Sequence, residues 1–405
     1  MIFVITVGLL AKLSMIIVNP QKIKKAEIVV GIPSLNEAER IGFVTRQIDL
    51  GLKKYFPDKE CVIVNTDSRS TDGTEKAFFN TKGDISKIYL NLDNDIRGKG
   101  YGLHNLFLLV QQLEAKVGVT LDADLKSIEP IWIKKMVNSV LDGYDYITPY
   151  YNRLKNDGTI TNQLAYPLVR GLVGYDIRQP IGGDFAFSGK MVDYWLKQKW
   201  SEEVYHFGID IFMTLNAIFS GFKIAQVNLG AKSHKPIQTK GLDAMFNQVS
   251  KTLFEMILES MDKIKAQREF KKIPILEGDK VIYLPNVETD PDPFEEFLKE
   301  QFDKCLKLGK NILSKSVYQG LVEIYQSGGV TIDLDLWTRI VYDLLSVYQE
   351  ADDKENVIKV LNCLYFGRVA TFFEKISDLE PEQSENEIVK QAKYFFSKRD
   401  YFVNK

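Results

Sequence analysis

Two aspartates, Asp122 and Asp124, end the apolar run in the stretch VGVTLDADLKSIEP, with one residue between them. Carboxylate oxygens are the ligands that Mg²⁺ and Mn²⁺ prefer, and an ion held there would also bridge a diphosphate. Two carboxylates this close repel each other, so positive charge is expected beside them. The alternative is that one aspartate caps a following helix while the other lies on the surface. An Asp-x-Asp pair alone does not decide between the two.

Three other polar segments adjoin predicted strands or helices. In GIPSLNEAERI, Asn36 and Glu37 stand where a helix begins, so capping is the simplest interpretation. In VIVNTDSRSTDGT, Asp67 follows an apolar run and is able to accept hydrogen bonds from a base or a ribose. In IRGKGYGL, two glycines flank Lys99 before a helix, which lets the backbone approach a phosphate beside a lysine. The spacing is not that of a P-loop.

Alternating strands and helices must position these residues. Short apolar runs predict strands at EIVVGIP, CVIVNTD, SKIYLNL, VGVTLDAD and YDYITPY, and segments between them carry apolar residues at helical spacing. Such alternation is typical of βαβ units and hence of a largely parallel sheet with helices on both faces. Ligands of such sheets bind beyond the carboxyl ends of the strands. Asp67, Asp122 and Asp124 all fall at these ends.

The alternation stops near Gly230. The segment GLDAMFNQVSKTLFEMILESMDKI carries a helical apolar stripe, and a stretch rich in proline and acidic residues follows it. Further helical patterns occupy residues 294–313, 336–348 and 357–373. The sequence therefore predicts an α/β fold, Rossmann-like with a mainly parallel sheet flanked by helices, followed by an α-helical C-terminal subdomain.

Composition excludes several classes of protein. The net charge of −2 over 405 residues lacks the basic footprint of a nucleic-acid binder. Three dispersed cysteines indicate a reducing compartment. Lys12 interrupts the N-terminal apolar run before it is long enough to span a bilayer. We therefore expect a cytoplasmic protein without stable membrane insertion, and an extra N-terminal strand, or a start assigned upstream of Met15, in preference to a signal or anchor.

The polar segments also resemble a known family. Taken in order, PSLNE, the DSRSTDGT loop, GKG and DAD resemble the nucleotide-sugar half of glycosyltransferases with the GT-A fold, over residues 28–125. The resemblance implies that Glu37 and Asp67 hold the nucleotide base. It also implies that Asp122 and Asp124 hold a Mg²⁺ or Mn²⁺ ion on the diphosphate.

Later segments narrow the resemblance. QPIGGDFAFS, HFGIDIFMTLNA and KIAQVNLGAKSHKP resemble the retaining glucosyl-3-phosphoglycerate synthases and their relatives. This implies that His234 completes the metal site, because imidazole is an accepted ligand beside carboxylates. It also implies that Asp210 lies near the sugar and acts with Lys99 in catalysis. Without the resemblance, His234 is a surface histidine, Asp184 part of a turn and Asp210 a helix cap. The residues expected to bind the nucleotide sugar are Pro33, Leu35, Glu37, Asp67, Ser68, Lys99, Asp122, Ala123, Gly183 and Asp184.

The acceptor segment departs from the family pattern. Where the family has a Gly-Arg-Val-Thr loop whose arginine meets the acceptor's phosphate, this chain has DGTIT, with Thr159 at the arginine position. Arginine is preferred for planar, bidentate phosphate contacts, so its loss affects acceptor choice. The acceptor-binding residues implied by the resemblance are Gly158, Thr159, Ile160, Thr161 and Lys235. Either other basic residues compensate, from the set Arg153, Lys155, Arg170 and Arg178, or the acceptor lacks a phosphate.

The sequence thus predicts a metal-dependent retaining glycosyltransferase. It would move a hexose, glucose by resemblance, from a UDP- or GDP-sugar to 3-phosphoglycerate or glycerate. Two alternatives stay open: transfer to a lipid or polysaccharide, and nucleotide-sugar binding without turnover. Predicted boundaries are an N-terminal extension at 1–27, a catalytic domain at 28–240, a long helix at 241–275 and a helical subdomain at 276–405. The apolar faces of the helical tail indicate packing on the catalytic domain or a homodimer.

Overall fold

The structure is a computed structural model, and it describes residues 2–6, 14–92, 97–234, 241–267, 269–278 and 280–403. The chain divides into two compact units. Unit 1 contains Met1–Asn152, Ile181–Lys235 and Ile273–Ile282, and unit 2 contains Arg153–Pro180, Pro236–Lys272 and Tyr283–Lys405. The domain boundaries predicted from the sequence stay predictions. The two units differ from them chiefly because residues 153–180 group with the helical tail.

Strands are concentrated in unit 1. In chain order they are β1 (Ile2–Thr6), β2 (Ser14–Val18), β3 (Ile28–Ser34), β4 (Cys61–Asp67), β5 (Ser86–Leu92), β6 (Val117–Thr120), β7 (Tyr146–Asn152), β8 (Tyr175–Asp176), β9 (Phe185–Ser188), β10 (Ile224–Ala231), β11 (Lys271–Lys272) and β12 (Ile275–Leu276). Within the described residues, ten of them form one sheet in the order β1-β2-β5-β4-β3-β6-β9-β7-β10-β12. Strands β8 and β11 form a small parallel pair in unit 2.

The middle of the large sheet is parallel and buried. Strand β3 pairs in parallel with β4 on one side and with β6 on the other, and β4 pairs in parallel with β5. Nearly every residue of these strands is buried. Helices on both faces of a parallel sheet require such continuous apolar runs. The α/β class and the predicted strands β3 to β7 are confirmed.

Among the described strands of the large sheet, β2 and β9 run opposite to the others. Strand β9 lies between β6 and β7 and runs antiparallel to both. Strands β1 and β2 form an antiparallel pair, and β2 runs antiparallel to β5, so the N-terminal extension widens the sheet. Sequence periodicity did not assign β9, because a four-residue apolar run fits a strand and a helix equally well.

Helices surround the sheet and form most of unit 2. In chain order they are α1 (Ile41–Tyr55), α2 (Thr74–Asn80), α3 (Lys99–Gln112), α4 (Pro130–Leu141), α5 (Tyr166–Leu168), α6 (Gly189–Trp195), α7 (Glu202–Tyr205), α8 (Ile209–Phe219), α9 (Leu242–Glu259), α10 (Met261–Ala266), α11 (Asp292–Gly309), α12 (Lys315–Gln326), α13 (Leu334–Tyr348), α14 (Lys354–Ile376), α15 (Pro381–Ser397) and α16 (Arg399–Val403). π-helical turns at Thr161–Ala165 and Val169–Val173 flank α5. No helix in the described ranges has both the length and the apolar character needed to cross a membrane.

The helix predicted over 241–275 is shorter than its sequence pattern indicated. Helix α9 ends at Glu259, Ser260 leaves the helical conformation with φ −111° and ψ 16°, and α10 ends at Ala266. Beyond that point the apolar stripe is replaced by charged residues, and β11 and β12 follow. The C-terminal helical patterns correspond to α11, α13 and α14. They confirm an α-helical C-terminal region.

Candidate active site

Two loops at the carboxyl ends of β3 and β4 brace each other. Ser34 lies opposite Asp67 in the parallel pairing, and its hydroxyl donates to Asp67 Oδ2 at 3.2 Å. The Ser70 amide donates to Asp67 Oδ1 at 2.6 Å. Asn36 has a left-handed φ of 55°, and its Oδ1 accepts from the Thr71 amide at 2.9 Å. These contacts fix Asp67 at the edge of the sheet where a nucleotide is expected.

The other nucleotide-binding residues predicted on these loops are also there. The Glu37 amide donates to Thr74 Oγ1 at 3.0 Å, and the Ser68 amide donates to the carbonyl of the residue that ends β3 at 2.9 Å. Leu35 is 43% exposed, an unusual degree for a leucine beside a buried strand. Pro33 lies within β3 itself. An exposed apolar side chain beside a polar cradle is suited to contact a base or a ribose.

Helix capping does not account for the acidic and amide residues. Helix α1 begins only at Ile41, beyond Asn36, and no side chain caps it. Helix α4 begins at Pro130, well beyond Asp124. Asp210 lies in the first turn of α8, which has no side-chain cap, and its carboxylate contacts a lysine instead. The capping alternative is therefore wrong for these residues.

Asp122 lies between two lysines. Lys232 Nζ is 2.7 Å from Asp122 Oδ2, and Lys99 Nζ is 3.4 Å from Asp122 Oδ1. Burial alone would raise the pKa of Asp122, but the two ammonium groups outweigh it and hold that pKa well below its usual range. The positive charge expected beside the acid pair is thus present. Lys232 supplies part of this charge, although it is not among the residues predicted from the sequence.

Lys232 joins the acid pair to the GGD segment. Only 2% of it is exposed, and its Nζ donates to Asp184 Oδ2 and to the Gly182 carbonyl, both at 2.9 Å. The sequence did carry a signal for this residue. Strand β10 ends at Ala231, and in extended backbone every second side chain points to the same side. Lys232 and His234 are two residues apart just after β10. A histidine predicted in the site therefore makes Lys232 a candidate for the same site.

The GGD segment approaches Asp122 closely. Gly183 has φ 85°, and a Cβ at this position would lie 2.2 Å from Asp122 Oδ2. Asp184 is fully buried, and its Oδ1 accepts from the Asp122 amide at 3.0 Å. Burial raises the pKa of Asp184, with Lys232 opposing the shift. Ala123 is buried beside this contact. Gly183 and Asp184, both predicted to contact the donor, therefore lie against Asp122, the first through its carboxylate and the second through its backbone amide.

Asp124 and His234 meet although more than a hundred residues separate them. The Lys126 amide donates to the Ser233 carbonyl at 2.8 Å, and the Ser233 amide donates to Ser127 Oγ at 2.9 Å. This pairing brings His234 Nδ1 to 3.8 Å from Asp124 Oδ2. A carboxylate and an imidazole at this separation fit a Mg²⁺ or Mn²⁺ ion.

Asp122 does not complete a three-residue metal cluster as the side chains stand. Among the residues that the structure describes, no three His, Cys, Asp or Glu side chains are grouped as a metal site requires. The Asp122 carboxylate is directed to its two lysines instead. Mg²⁺ often takes one or two protein ligands and completes its shell with phosphate oxygens and water. That three ligands, Asp122, Asp124 and His234, share one ion stays a prediction.

The residues expected in catalysis, Lys99 and Asp210, form an ion pair. Lys99 Nζ lies 3.1 Å from Asp210 Oδ1, and both side chains are largely buried. Burial raises the pKa of Asp210, although Lys99 opposes the shift. The GKG loop reaches this pair because Gly98 and Gly100 pack against the segment that leads into α8. The Gly100 amide donates to the His206 carbonyl at 3.2 Å.

Replacing Gly100 with alanine should separate Lys99 from Asp210. The added Cβ would lie 1.9 Å from the Val204 carbonyl oxygen, so the loop or α7 must move. A displacement of about 1 Å costs about 10²-fold in rate, and we expect kcat to fall by that order. Gly320→Ala is the matched control, because its Cβ meets Leu336 only at 3.9 Å. Equal kcat values for the two variants would show that the close approach is dispensable.

Four of the five predicted acceptor residues, those at positions 158–161, belong to unit 2. Gly158 has φ 66° and starts a turn in which the Asn162 amide donates to the Gly158 carbonyl at 2.8 Å. Thr159 Oγ1 accepts from the Tyr365 hydroxyl at 2.6 Å. Ile160 and Thr161 are buried, and Thr161 begins a π-helical turn that the sequence did not predict. Lys235 lies outside the described residues.

Comparison with known proteins identifies the class of enzyme. The family model described as mannosylglycerate synthase, GT domain, matches residues 44–247, half of the chain. The protein is therefore a glycosyltransferase, as its GT-A motifs predicted. It belongs to the family of mannosylglycerate synthase glycosyltransferase domains.

Individual relatives are more distant. The chain is 28% identical to the glucosyl-3-phosphoglycerate synthase of Mycolicibacterium paratuberculosis over 243 residues, which cover 55% of this chain and 70% of that protein. Among solved structures, the chain is similar to the Mycobacterium tuberculosis glucosyl-3-phosphoglycerate synthase in complex with Mn²⁺, UDP and glucosyl-3-phosphoglycerate. The sequence identity is 24% and the TM-score is 0.47. The match covers 57% of this chain and 80% of that chain. The same enzyme solved with Mg²⁺ and UDP gives 24% identity and a TM-score of 0.46, over 57% of this chain and 79% of its own.

Proposed function

We propose that this glycosyltransferase moves a hexose from a nucleoside-diphosphate sugar to a three-carbon hydroxy acid, with retention of configuration and with Mg²⁺ or Mn²⁺. One observation carries the proposal. Lys99 and Lys232 both contact Asp122, and Asp124 and His234 lie close together next to it. All of these residues lie beyond the carboxyl ends of the strands. This combination of two cations, carboxylates and an imidazole is suited to a diphosphate and its metal ion.

The donor would lie along the edge of the sheet. Its base and ribose would contact the braced loops at Asp67 and Leu35, and its diphosphate would meet Lys99 and Lys232. Asp184, buried and held by Lys232, would accept hydrogen bonds from the sugar. Asp124 and His234 would hold the ion, which when bound would neutralise charge on the diphosphate.

Positioning and charge would supply most of the catalysis. The bond from sugar C1 to the diphosphate oxygen breaks while a bond from C1 to the acceptor oxygen forms on the same face. The acceptor's hydroxyl proton passes to the departing diphosphate oxygen, and Lys99 and Lys232 stabilise the remaining negative charge. Asp184 and Asp210 are each paired with a lysine, which favours this front-face substitution over nucleophilic attack by either carboxylate.

The names of the relatives narrow the substrates. The matched family is named for mannosylglycerate synthesis, and the Mycolicibacterium relative for the synthesis of glucosyl-3-phosphoglycerate. We therefore propose glucose or mannose as the donor sugar and glycerate or 3-phosphoglycerate as the acceptor. UDP and GDP are the candidate nucleotides.

A matrix of substrates tests the proposal. The enzyme is incubated with Mg²⁺, one of the donors UDP-glucose, GDP-glucose and GDP-mannose, and either glycerate or 3-phosphoglycerate. The products are identified by mass spectrometry. We expect one glycoside to dominate. Donor hydrolysis without an acceptor would still show a catalytic site that takes another acceptor, such as a lipid or polysaccharide. Donor binding without any cleavage would indicate a non-catalytic binding protein and would contradict the proposal.

Removing the Asp124 carboxylate should weaken metal binding. Loss of a partner in the outer shell of a metal site already costs roughly 10- to 100-fold in affinity, and Asp124→Asn should cost at least that. The measurement is Mn²⁺ titration in the presence of UDP, followed by electron paramagnetic resonance. Asp84→Asn is the control, because Asp84 pairs with Lys53 on the surface of the same unit. Equal Mn²⁺ affinities in Asp124→Asn and wild type would mean that Asp124 is not a metal ligand.

A further inference from the structure

Two arginines flank the turn at residues 158–161 that is proposed to meet the acceptor. A Cβ on Gly158 would lie 3.0 Å from Arg153 Cδ, so the Arg153 side chain passes directly over the turn. Arg178 Nη2 donates to Asn162 Oδ1 at 3.0 Å, and Asn162 in turn closes the turn through its amide. Both guanidinium groups therefore lie within one residue of the turn. A phosphate on the acceptor would be drawn to such groups.

Each of these arginines already has a carboxylate partner in unit 2. Arg178 donates from Nε to Glu385 Oε1 at 2.6 Å and from Nη2 to Glu385 Oε2 at 2.8 Å, a bidentate pair. Burial would lower the pKa of Arg178, but Glu385 outweighs it and the pKa is raised. Arg153 Nη1 donates to Asp157 Oδ2 at 3.0 Å. Both pairs are mostly buried, with at most a fifth of any side chain exposed.

Lys155 and Arg170, the other two basic residues that were candidates to bind a phosphate, also have partners. Lys155 Nζ donates to the carbonyls of Ile376, Ser377 and Leu379, which end and follow α14. Arg170 lies 3.3 Å from Asp176 and over the ring of Phe270. All four basic residues that were candidates to replace the arginine missing at Thr159 therefore already have partners. A phosphate dianion at the turn would instead meet the carboxylates of Asp157 and Glu385.

We propose that Glu385, on helix α15, determines the choice of acceptor by withholding Arg178 from a phosphate group. The acceptor is then a three-carbon hydroxy acid without a phosphate, such as glycerate. This rests on the proposed function, together with the family resemblance that assigns the turn at residues 158–161 to the acceptor. Glu385 is a positioning residue: it acts through Arg178 and not on the reacting atoms. The helical tail thereby acquires a role in specificity.

Glu385→Gln tests the proposal, because it removes the charge and keeps the shape. We expect wild type to prefer glycerate, and we expect the variant to shift the ratio of kcat/KM values towards 3-phosphoglycerate by about ten- to a hundredfold, the effect of one charged hydrogen bond. The shift should come from a lower KM for the phosphorylated acid, with kcat for glycerate unchanged. Glu387→Gln is the matched control. Glu387 lies on the same helix but pairs with Lys375 and Lys390.

A second variant keeps the test decisive if Glu385→Gln does not fold. Thr159→Arg adds a guanidinium to the turn and leaves the Arg178 pair intact, and it should shift the ratio in the same direction. A strong wild-type preference for 3-phosphoglycerate that neither variant changes would overturn the role of Glu385. It would leave the proposed function standing. Failure of wild type to glycosylate either acid would overturn the proposed function itself.

Discussion

Replacing Lys99 with alanine is expected to lower kcat by about 10²–10³-fold at saturating donor, the usual cost of one group that stabilises developing charge. Lys99 Nζ contacts both Asp122 and Asp210, and the pKa of Lys99 is raised, so it stays charged throughout the neutral range. The variant removes that charge from the place where the diphosphate is proposed to depart. Single-turnover kinetics with radiolabelled donor measure the effect on the chemical step directly.

The control for Lys99→Ala is Lys116→Ala in the same unit. Lys116 pairs with Glu27 on the surface, and 68% of its side chain is exposed. We expect wild-type turnover from it. Lys99→Arg keeps the charge but not the compact shape, and it should retain part of the activity. Near-wild-type turnover of Lys99→Ala would mean that Lys232 and the metal ion alone carry the leaving-group charge.

Replacing Lys232 with methionine is expected to lower the free energy of unfolding by about 3–5 kcal/mol, the cost of removing one partner from a buried ion pair. Lys232 is 2% exposed and serves both Asp122 and Asp184. Without it, the fully buried Asp184 carboxylate loses its ammonium partner beside the partly exposed Asp122 carboxylate, which keeps Lys99. Urea unfolding followed by tryptophan fluorescence gives the measurement.

A second substitution shows whether charge is the cause of this loss. Asp184→Asn removes one of the two carboxylates, and the double variant Lys232→Met/Asp184→Asn should be more stable than Lys232→Met alone. Residues in one ion-pair network couple by 0.5–3 kcal/mol, so the recovery is expected to lie in about that range. Strictly additive losses would mean that Lys232 stabilises the unit through packing and not through its charge.

The strand ends were predictable because two simple physical rules place them. Continuous apolar runs mark strands buried on both faces, and polar residues directly after such runs fall at the ligand-binding edge. Asp67 and Asp122 follow these rules, and the structure places both at the carboxyl ends of β4 and β6. Charge repulsion between Asp122 and Asp124 also predicted neighbouring cations, and Lys99 is one of them.

What the sequence missed depends on contacts between distant segments. Lys232 acquires its role only when β10 lies beside the GGD turn, and no local pattern marks a buried lysine apart from its spacing to His234. The π-helical turns at residues 161–173 break the 3.6-residue period on which helix prediction rests. Glu385 is far in sequence from the turn at residues 158–161, so its pairing with Arg178 could not be predicted from local patterns.

Nuclear magnetic resonance of the reaction mixture is the most direct test of the proposed transfer. Donor sugar with an α-linked diphosphate, glycerate and Mg²⁺ are mixed with the enzyme, and the anomeric protons of donor and product are followed together. We predict a glycoside of unchanged α configuration that accumulates in equal amount to the released nucleoside diphosphate, and that stops forming when chelator is added. A β-linked product, or transfer at full rate in excess chelator, would contradict a metal-dependent retaining mechanism.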